Sequence, residues 1–196
     1  MLLALALIAT QRVVAAPSAD RPVYKVADRW EFRMLETPGG RSSTWAREVV
    51  EVHHDTLDVR FRDGHVAAFD RAMNLLDAKG AANSRILARY PLLVGDTWTF
   101  ARKVDADGRI DERGHARVVA IERVTVPAGT FDCFRIDADS RIGDRVHTEE
   151  RLWQRWYCPD VKWIAKERFE LRTWRADGPP TDVVDVSELQ RFLPGR

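Results

Sequence analysis

Asp28-Arg29-Trp30-Glu31-Phe32-Arg33-Met34 sets an apolar side chain at every second position, from Trp30 to Met34, with charged residues between. Successive side chains of an extended backbone point to opposite faces, so this is the period of a half-buried β-strand and not of a helix. Leu57-Asp58-Val59-Arg60-Phe61-Arg62 repeats the pattern. Towards the end of the chain, Val161, Trp163, Ala165, Phe169 and Leu171 fall to one face, and Lys162, Lys166, Arg168 and Arg172 to the other. Further strands are expected over 45–54, 66–70, 97–104, 114–126, 131–138, 146–157 and 182–187.

The links between these runs are short. Gly39-Gly40, Asp63-Gly64, Asp107-Gly108 and Gly143-Asp144 stand where hairpins must reverse, since Gly and Asp accept the positive φ of tight turns. Short strands joined in this way predict an all-β fold made of a single antiparallel, strongly curved sheet or incomplete barrel of about ten strands, with at most one or two short helices. Residues 186–193 are the place for a terminal helical turn. The small, polar stretch from Asp77 to Ser84, followed by Tyr90-Pro91-Leu92, reads as a long surface connection, with a flap over an opening as the alternative. In Leu152-Trp153-Gln154-Arg155-Trp156-Tyr157 both faces carry aromatic rings, so this strand is covered on both sides or lines a cavity.

Leu2 to Ala9 is an unbroken apolar run that leads into Val13-Val14-Ala15-Ala16. The run is too short to span a bilayer and suits a signal peptide over 1–16, although no Lys or Arg precedes it. A single β-rich domain over 17–196 then follows, which is expected to be periplasmic or secreted, and not an integral membrane protein. The 31 basic residues are balanced by 30 acidic ones interspersed with them, for a net charge of +1. Nucleic-acid binding calls for a basic stripe, and none is present. Cys133 and Cys158 are a disulfide candidate in an oxidising compartment. A hairpin turning near Gly143-Asp144 sets residue 133 opposite about 154, so a bend or register change is needed to bring Cys158 near. A disulfide and two separately buried thiols both stay open.

Tyr90-Pro91-Leu92 leading to Gly95-Asp96-Thr97-Trp98, then Val126-Pro127-Ala128-Gly129-Thr130-Phe131-Asp132-Cys133, then Trp156-Tyr157-Cys158-Pro159-Asp160-Val161, form an ordered set over about 90–170. This order resembles a group of bacterial exported domains called TapB-like. The resemblance implies an exported β-domain, related in expected fold to the half-open barrels of periplasmic lipoprotein carriers. Its motifs are structural turns rather than chemical signatures. The chain departs from the pattern at Lys162, where glycine is usual, and at Cys158, where alanine is frequent.

Candidate chemistry is sparse. His53-His54-Asp55 could offer metal ligands, but adjacent strand residues face opposite ways, and a two-ligand clamp on one strand wants an i, i+2 spacing. His147 with Glu149 or Glu150 could form an acid–base pair; the competing reading is a solvated edge of mixed charge. Asp105-Ala106-Asp107-Gly108 lacks the further oxygen ligands of a calcium loop, and residue 114, where such a loop needs Glu, is Gly. Nucleophile elbows, zinc-protease His pairs and phosphate-binding glycine loops are absent from the sequence. Glu167 lies on the otherwise apolar face of Trp163 and Phe169, where an unpaired carboxylate is costly, so it is expected to meet an Arg or border a cavity.

Seven tryptophans serve either a large core or a cavity wall. Trp98, Trp156, Trp163, Glu167 and Phe169 are the residues expected to line such a cavity. The leading expectation is therefore a non-enzymatic exported protein that binds a lipid or other amphiphile in a half-open barrel, with no catalytic residue, metal or cofactor. An envelope protein–protein interaction module with a filled core, and an envelope hydrolase built around His147 or Glu167, are the alternatives.

Overall fold

The structure, a computed structural model, describes residues 17–76, 85–103, 111–143, 147–176 and 178–196. The leader 1–16, the polar stretch 77–84 and the Asp105–Gly108 turn lie outside them. Twelve strands follow in order: β1 Ser18–Ala19, β2 Arg29–Thr37, β3 Ser42–Val52, β4 Thr56–Phe61, β5 Val66–Asp70, β6 Leu92–Leu93, β7 Thr97–Lys103, β8 Asp111–Val126, β9 Gly129–Gly143, β10 His147–Cys158, β11 Trp163–Arg175 and β12 Gly178–Leu193. One turn of 3-10 helix, Pro159–Val161, joins β10 to β11. Among the described residues no helix is long and apolar enough to cross a membrane.

Ten strands form one antiparallel sheet in the order β5-β4-β3-β2-β12-β11-β10-β9-β8-β7, and β1 pairs with β6 apart from it. Two meanders of hairpins are thus joined along β2 and β12, which pair from Val184↔Thr37 to Leu193↔Arg29. The sheet stays open, with β5 and β7 at its edges. It is nonetheless strongly coiled. Three strands separate β8 from β12, a distance of about 19 Å in a flat sheet at the usual strand spacing. Yet the Ala128 N–H, in the β8–β9 turn, donates to the Leu189 carbonyl on β12 at 3.1 Å.

Two apolar clusters fill the molecule. One gathers Trp30, Phe32, Val49, Leu57, Val59, Phe69, Trp163 and Leu189; the other gathers Trp98, Phe100, Val118, Ile136, Trp153 and Leu92. The neighbours Cys133 and Phe134 on β9 are both buried, one in each cluster. Their side chains leave the strand in opposite directions, so both faces of the sheet are covered there.

Residues 186–193 correct one expectation: they continue β12 and form no helical turn, because β2 offers them a ladder of partners. The connection from β5 to β7 corrects another. Its described part, 85–96, is more than a surface connection: Ile86, Arg89, Pro91 and 94–96 are exposed, but Leu87 and Leu92 are buried. Asn74 pins it: the amide oxygen accepts from the Leu87 and Ala88 N–H groups at 2.8 and 3.0 Å, and the amide nitrogen donates to the Ala88 carbonyl at 2.9 Å and to Asp70 at 3.0 Å. The expected one-face alternation along β11 also fails at its start, where Trp163, Ile164 and Ala165 are all buried. A register shift between Trp156 and Tyr157 on β10 rotates the pairing at that point.

The β9–β10 hairpin runs in the register Tyr157↔Phe134 and Thr148↔Gly143. The next pair is Cys158 with Cys133, which are joined as a disulfide with Cα atoms 4.2 Å apart. No bend is needed, because the register sets residue 133 four positions further along β10 than a turn at Gly143-Asp144 implies. Just beyond, Lys162 adopts φ 62° and ψ 6°, the left-handed conformation that favours glycine. Its ammonium offsets that cost by meeting the fully buried Asp28 carboxylate at 2.8 and 3.0 Å. Asp28 also accepts from the backbone N–H groups of Lys25 and Gly195, both at 2.8 Å. One carboxylate thereby ties the start of β2, the β10–β11 turn and the C-terminal tail together.

Candidate functional site

β3 carries Trp45, Arg47 and Val49 at alternate positions, and its pairing with β2 and β4 sets Arg47 opposite Trp30 and Phe61. That alternation turns Arg47 towards the interior beside a cavity of about 410 Å³. Phe69, Met73, Leu76, Leu87 and Ile164 form much of the apolar wall, and Trp45, Phe61 and Trp163 complete it. Trp45 stacks on Phe32 with ring centroids 3.9 Å apart, and Trp163 meets Trp30, Phe32 and Trp45 edge-on at 5.3, 5.9 and 6.2 Å. The four rings thus pack as one contiguous set.

The guanidinium carbon of Arg47 lies 4.6 Å from the Phe61 ring centre, 4.9 Å from Trp163, 5.1 Å from Phe69 and 5.4 Å from Trp45. Cation–π attraction holds it among these faces. Its Nε is nevertheless buried without a hydrogen-bond partner, and no ion pair to it is formed among the described residues. Burial, followed by the like charge of Arg155 and partly opposed by Glu167, brings the Arg47 guanidinium down to about 10. It therefore stays cationic at neutral pH.

Other charges at the cavity are already committed. Glu167, facing Arg155 across the β10–β11 register, forms an ion pair with it. Arg85 and Arg102, which also line the cavity, share Glu112, a carboxylate with no exposed surface. Arg85 donates from Nε and Nη2 at 2.9 and 2.7 Å, Arg102 from Nε at 2.5 Å, and the Ser140 hydroxyl at 2.7 Å. Arg151 stands 3.8 Å away. Burial by itself raises a carboxyl, but the bonds from Arg85, Ser140 and Arg102 outweigh it and hold Glu112 at about 2. Four arginines and one glutamate line the cavity; with Glu112 behind them the surroundings keep a positive surplus.

Trp163 and Glu167, both expected from the sequence, border this cavity, whereas Trp98, Trp156 and Phe169 do not. Trp98 is buried in the second cluster and donates to the Ile86 carbonyl at 2.9 Å, Phe169 packs on Trp153 at 5.3 Å, and Trp156 donates to Glu122 at 2.7 Å. A wider depression of about 830 Å³ lies over β7 to β10, lined by the buried Trp98, Ala116, Ala138 and Trp153 as well as by the exposed Thr99, His115, Arg117 and Asp139. It is a groove with an exposed polar border, and Trp98, expected to line a cavity, borders this groove instead.

His53 meets Glu51 at 3.8 Å and Asp58 at 3.4 Å, and the donor atoms of these three lie within 4.8 Å of one another. Glu51-x-His53 is the i, i+2 spacing a strand clamp wants, but the cluster is on the surface, with Glu51 and His53 exposed. His54 and Asp55 pair separately at 2.8 Å, in solvent. Glu149 is engaged by Arg151 at 2.6 Å, and the side chain of His147 lies outside the described residues. Arg47 itself escaped the sequence reading. The signal was present, since a residue midway between Trp45 and Val49 on a strand must share their face.

A family model described as DUF3108-like matches residues 102–172, a little over a third of the chain. The match overlaps the 90–170 segment that resembles TapB-like domains, but carries this other description. Curated proteins yield no match. Among solved structures, a presumed exported protein with a YmcC-like fold from Bacteroides fragilis is similar at 14% identity and TM-score 0.45, covering 90% of this chain and 100% of its own. A presumed lipoprotein from Parabacteroides distasonis gives 12% identity and TM-score 0.49, with coverage of 90% and 100%. The hypothetical lipoprotein YmcC from Escherichia coli gives 8% identity and TM-score 0.48, with 86% of each chain covered. At these values they are loose likenesses of fold.

Proposed function

We propose that this chain is a non-catalytic exported protein that holds a small amphiphile in the cavity beside β3, β5 and β11. The observation that carries the reading is the combination of an aromatic and aliphatic wall with a volume of about 410 Å³, within the range of small-ligand sites. The apolar leader Leu2 to Ala9 and the paired cysteines Cys133 and Cys158 support an exported, oxidising location. A hydrolase reading has little to draw on at the cavity, where Glu167 is ion-paired with Arg155 and Glu112, behind the wall, with Arg85.

Native mass spectrometry on protein purified from the periplasm without delipidation tests this. A discrete adduct that disappears after organic extraction is the expected result. A bare mass at every loading instead transfers the weight to an interaction module, for which the open edges β5 and β7 are the available surfaces.

A further inference from the structure

We infer that the amphiphile carries an anionic head, a carboxylate or a phosphate monoester, which is received by Arg47. The inference rests on the cavity reading above and specifies the chemistry of its occupant. Every other charge bordering the cavity has an opposite partner: Arg155 has Glu167, and Arg85 and Arg102 have Glu112. Arg47 has four aromatic faces and, among the described residues, no ion-pair partner, and its Nε is buried without an acceptor there.

Aromatic faces attract the cation but accept none of its in-plane N–H bonds, and a guanidinium fork matches the paired oxygens of a carboxylate or phosphate. A cationic head would meet like charge from Arg47 with the surplus of the Arg85–Arg102–Glu112 group behind it. A neutral alcohol would leave the guanidinium charge uncompensated. The apolar wall formed by Phe69, Met73, Leu87 and Ile164 then takes the tail.

A bland reading competes: Arg47 is a structural plug, satisfied by its rings. The two differ in what substitution does. A plug lost to Arg47→Met lowers the melting temperature. An unpaired buried cation replaced by an apolar chain of similar length leaves it unchanged or raises it, as happens when buried charges give way to hydrophobic residues.

The experiment titrates delipidated full chain with dodecanoate, dodecyl phosphate, dodecanol, dodecylamine and inorganic phosphate. Fluorescence of the cavity tryptophans, with calorimetry as a second readout, follows binding. Dodecanoate and dodecyl phosphate should bind at least tenfold more tightly than dodecanol, and dodecylamine more weakly still. Arg47→Met, shown folded by an unreduced melting temperature, should abolish that preference while still binding dodecanol. Equal affinity for dodecanoate and dodecanol in the wild type overturns the anionic head but leaves the amphiphile site standing. Inorganic phosphate binding as tightly as dodecyl phosphate overturns the amphiphile in favour of a free anion. Binding of none of the probes overturns both readings, and a preference surviving Arg47→Met places the head elsewhere and sinks the role of Arg47.

Discussion

Asp28 and Glu112 have no exposed surface, and each is surrounded by donors. A carboxylate taken out of water is tolerated only when its lone pairs are filled, and removing one partner of a buried pair costs about 3–5 kcal/mol. Glu112→Gln removes the charge that Arg85 and Arg102 share, so it should lower the unfolding free energy by about that amount in urea titrations. The pH dependence follows from the depressed carboxyl. Glu112 sits at about 2 in the folded chain against an ordinary 4.5. Its stabilisation is therefore complete above about pH 4.5 and is lost as the pH falls towards 2. Between pH 5 and pH 2.5 the wild type should lose more stability than Glu112→Gln does. Parallel slopes for the two proteins would show that the carboxylate is not held in this way.

At the level of the elements, the disulfide fastens the last pair of the β9–β10 ladder, where the chain leaves the sheet for the Pro159–Val161 turn. Cys133 and Cys158 are 25 residues apart, and closing a loop of that size restricts the unfolded chain by about 3 kcal/mol. Thiol titration of the denatured, unreduced protein should find no free thiol, and reduction should lower the urea midpoint correspondingly. Two free thiols per chain would remove the bond altogether. The same hairpin shows which parts of the fold are legible in sequence. Strands whose faces differ in polarity, such as β2 and β4, are readable from alternation, because burial on one side alone imposes a period of two. Register is not readable: the β9–β10 pairing and the shift at Trp156/Tyr157 between β10 and β11 join neighbouring strands, yet alternation along a strand does not say which partner residue lies opposite. β12 likewise extends to Leu193 only because β2 lies beside it. The site was half legible for a related reason. Glu167 and Arg47 are both charges on apolar faces, which alternation exposes, but only the folded chain shows that Glu167 has a partner and Arg47 none.

For the whole molecule, the decisive fact is where the two meanders meet. β2 and β12 come from opposite ends of the sequence and lie mid-sheet, with β11 on the far side of β12. Any opening that separates them breaks the sheet in two and exposes Trp30, Phe32 and Leu189, which are 0–1% exposed. Such an opening costs nearly the full stability of the domain. β5 and β7, by contrast, each have a single neighbour and can leave the sheet without disturbing that seam. Local opening free energies run from near zero at frayed edges to the global value in the core, so hydrogen exchange should rank the strands. Amides of β2, β11 and β12 are expected to exchange slowest, at rates that track global unfolding, and those of β5 and β7 fastest. The cavity supplies a further expectation, because its walls come from β3, β4 and β11 together with the edge strands β5 and β7. An amphiphile bound there bridges the edge strands to the interior, and should slow exchange in β5 while leaving β8 and β9, which contribute nothing to its lining, as they were. Protection of β8 and β9 without β5 would place the ligand in the groove over β7 to β10 instead.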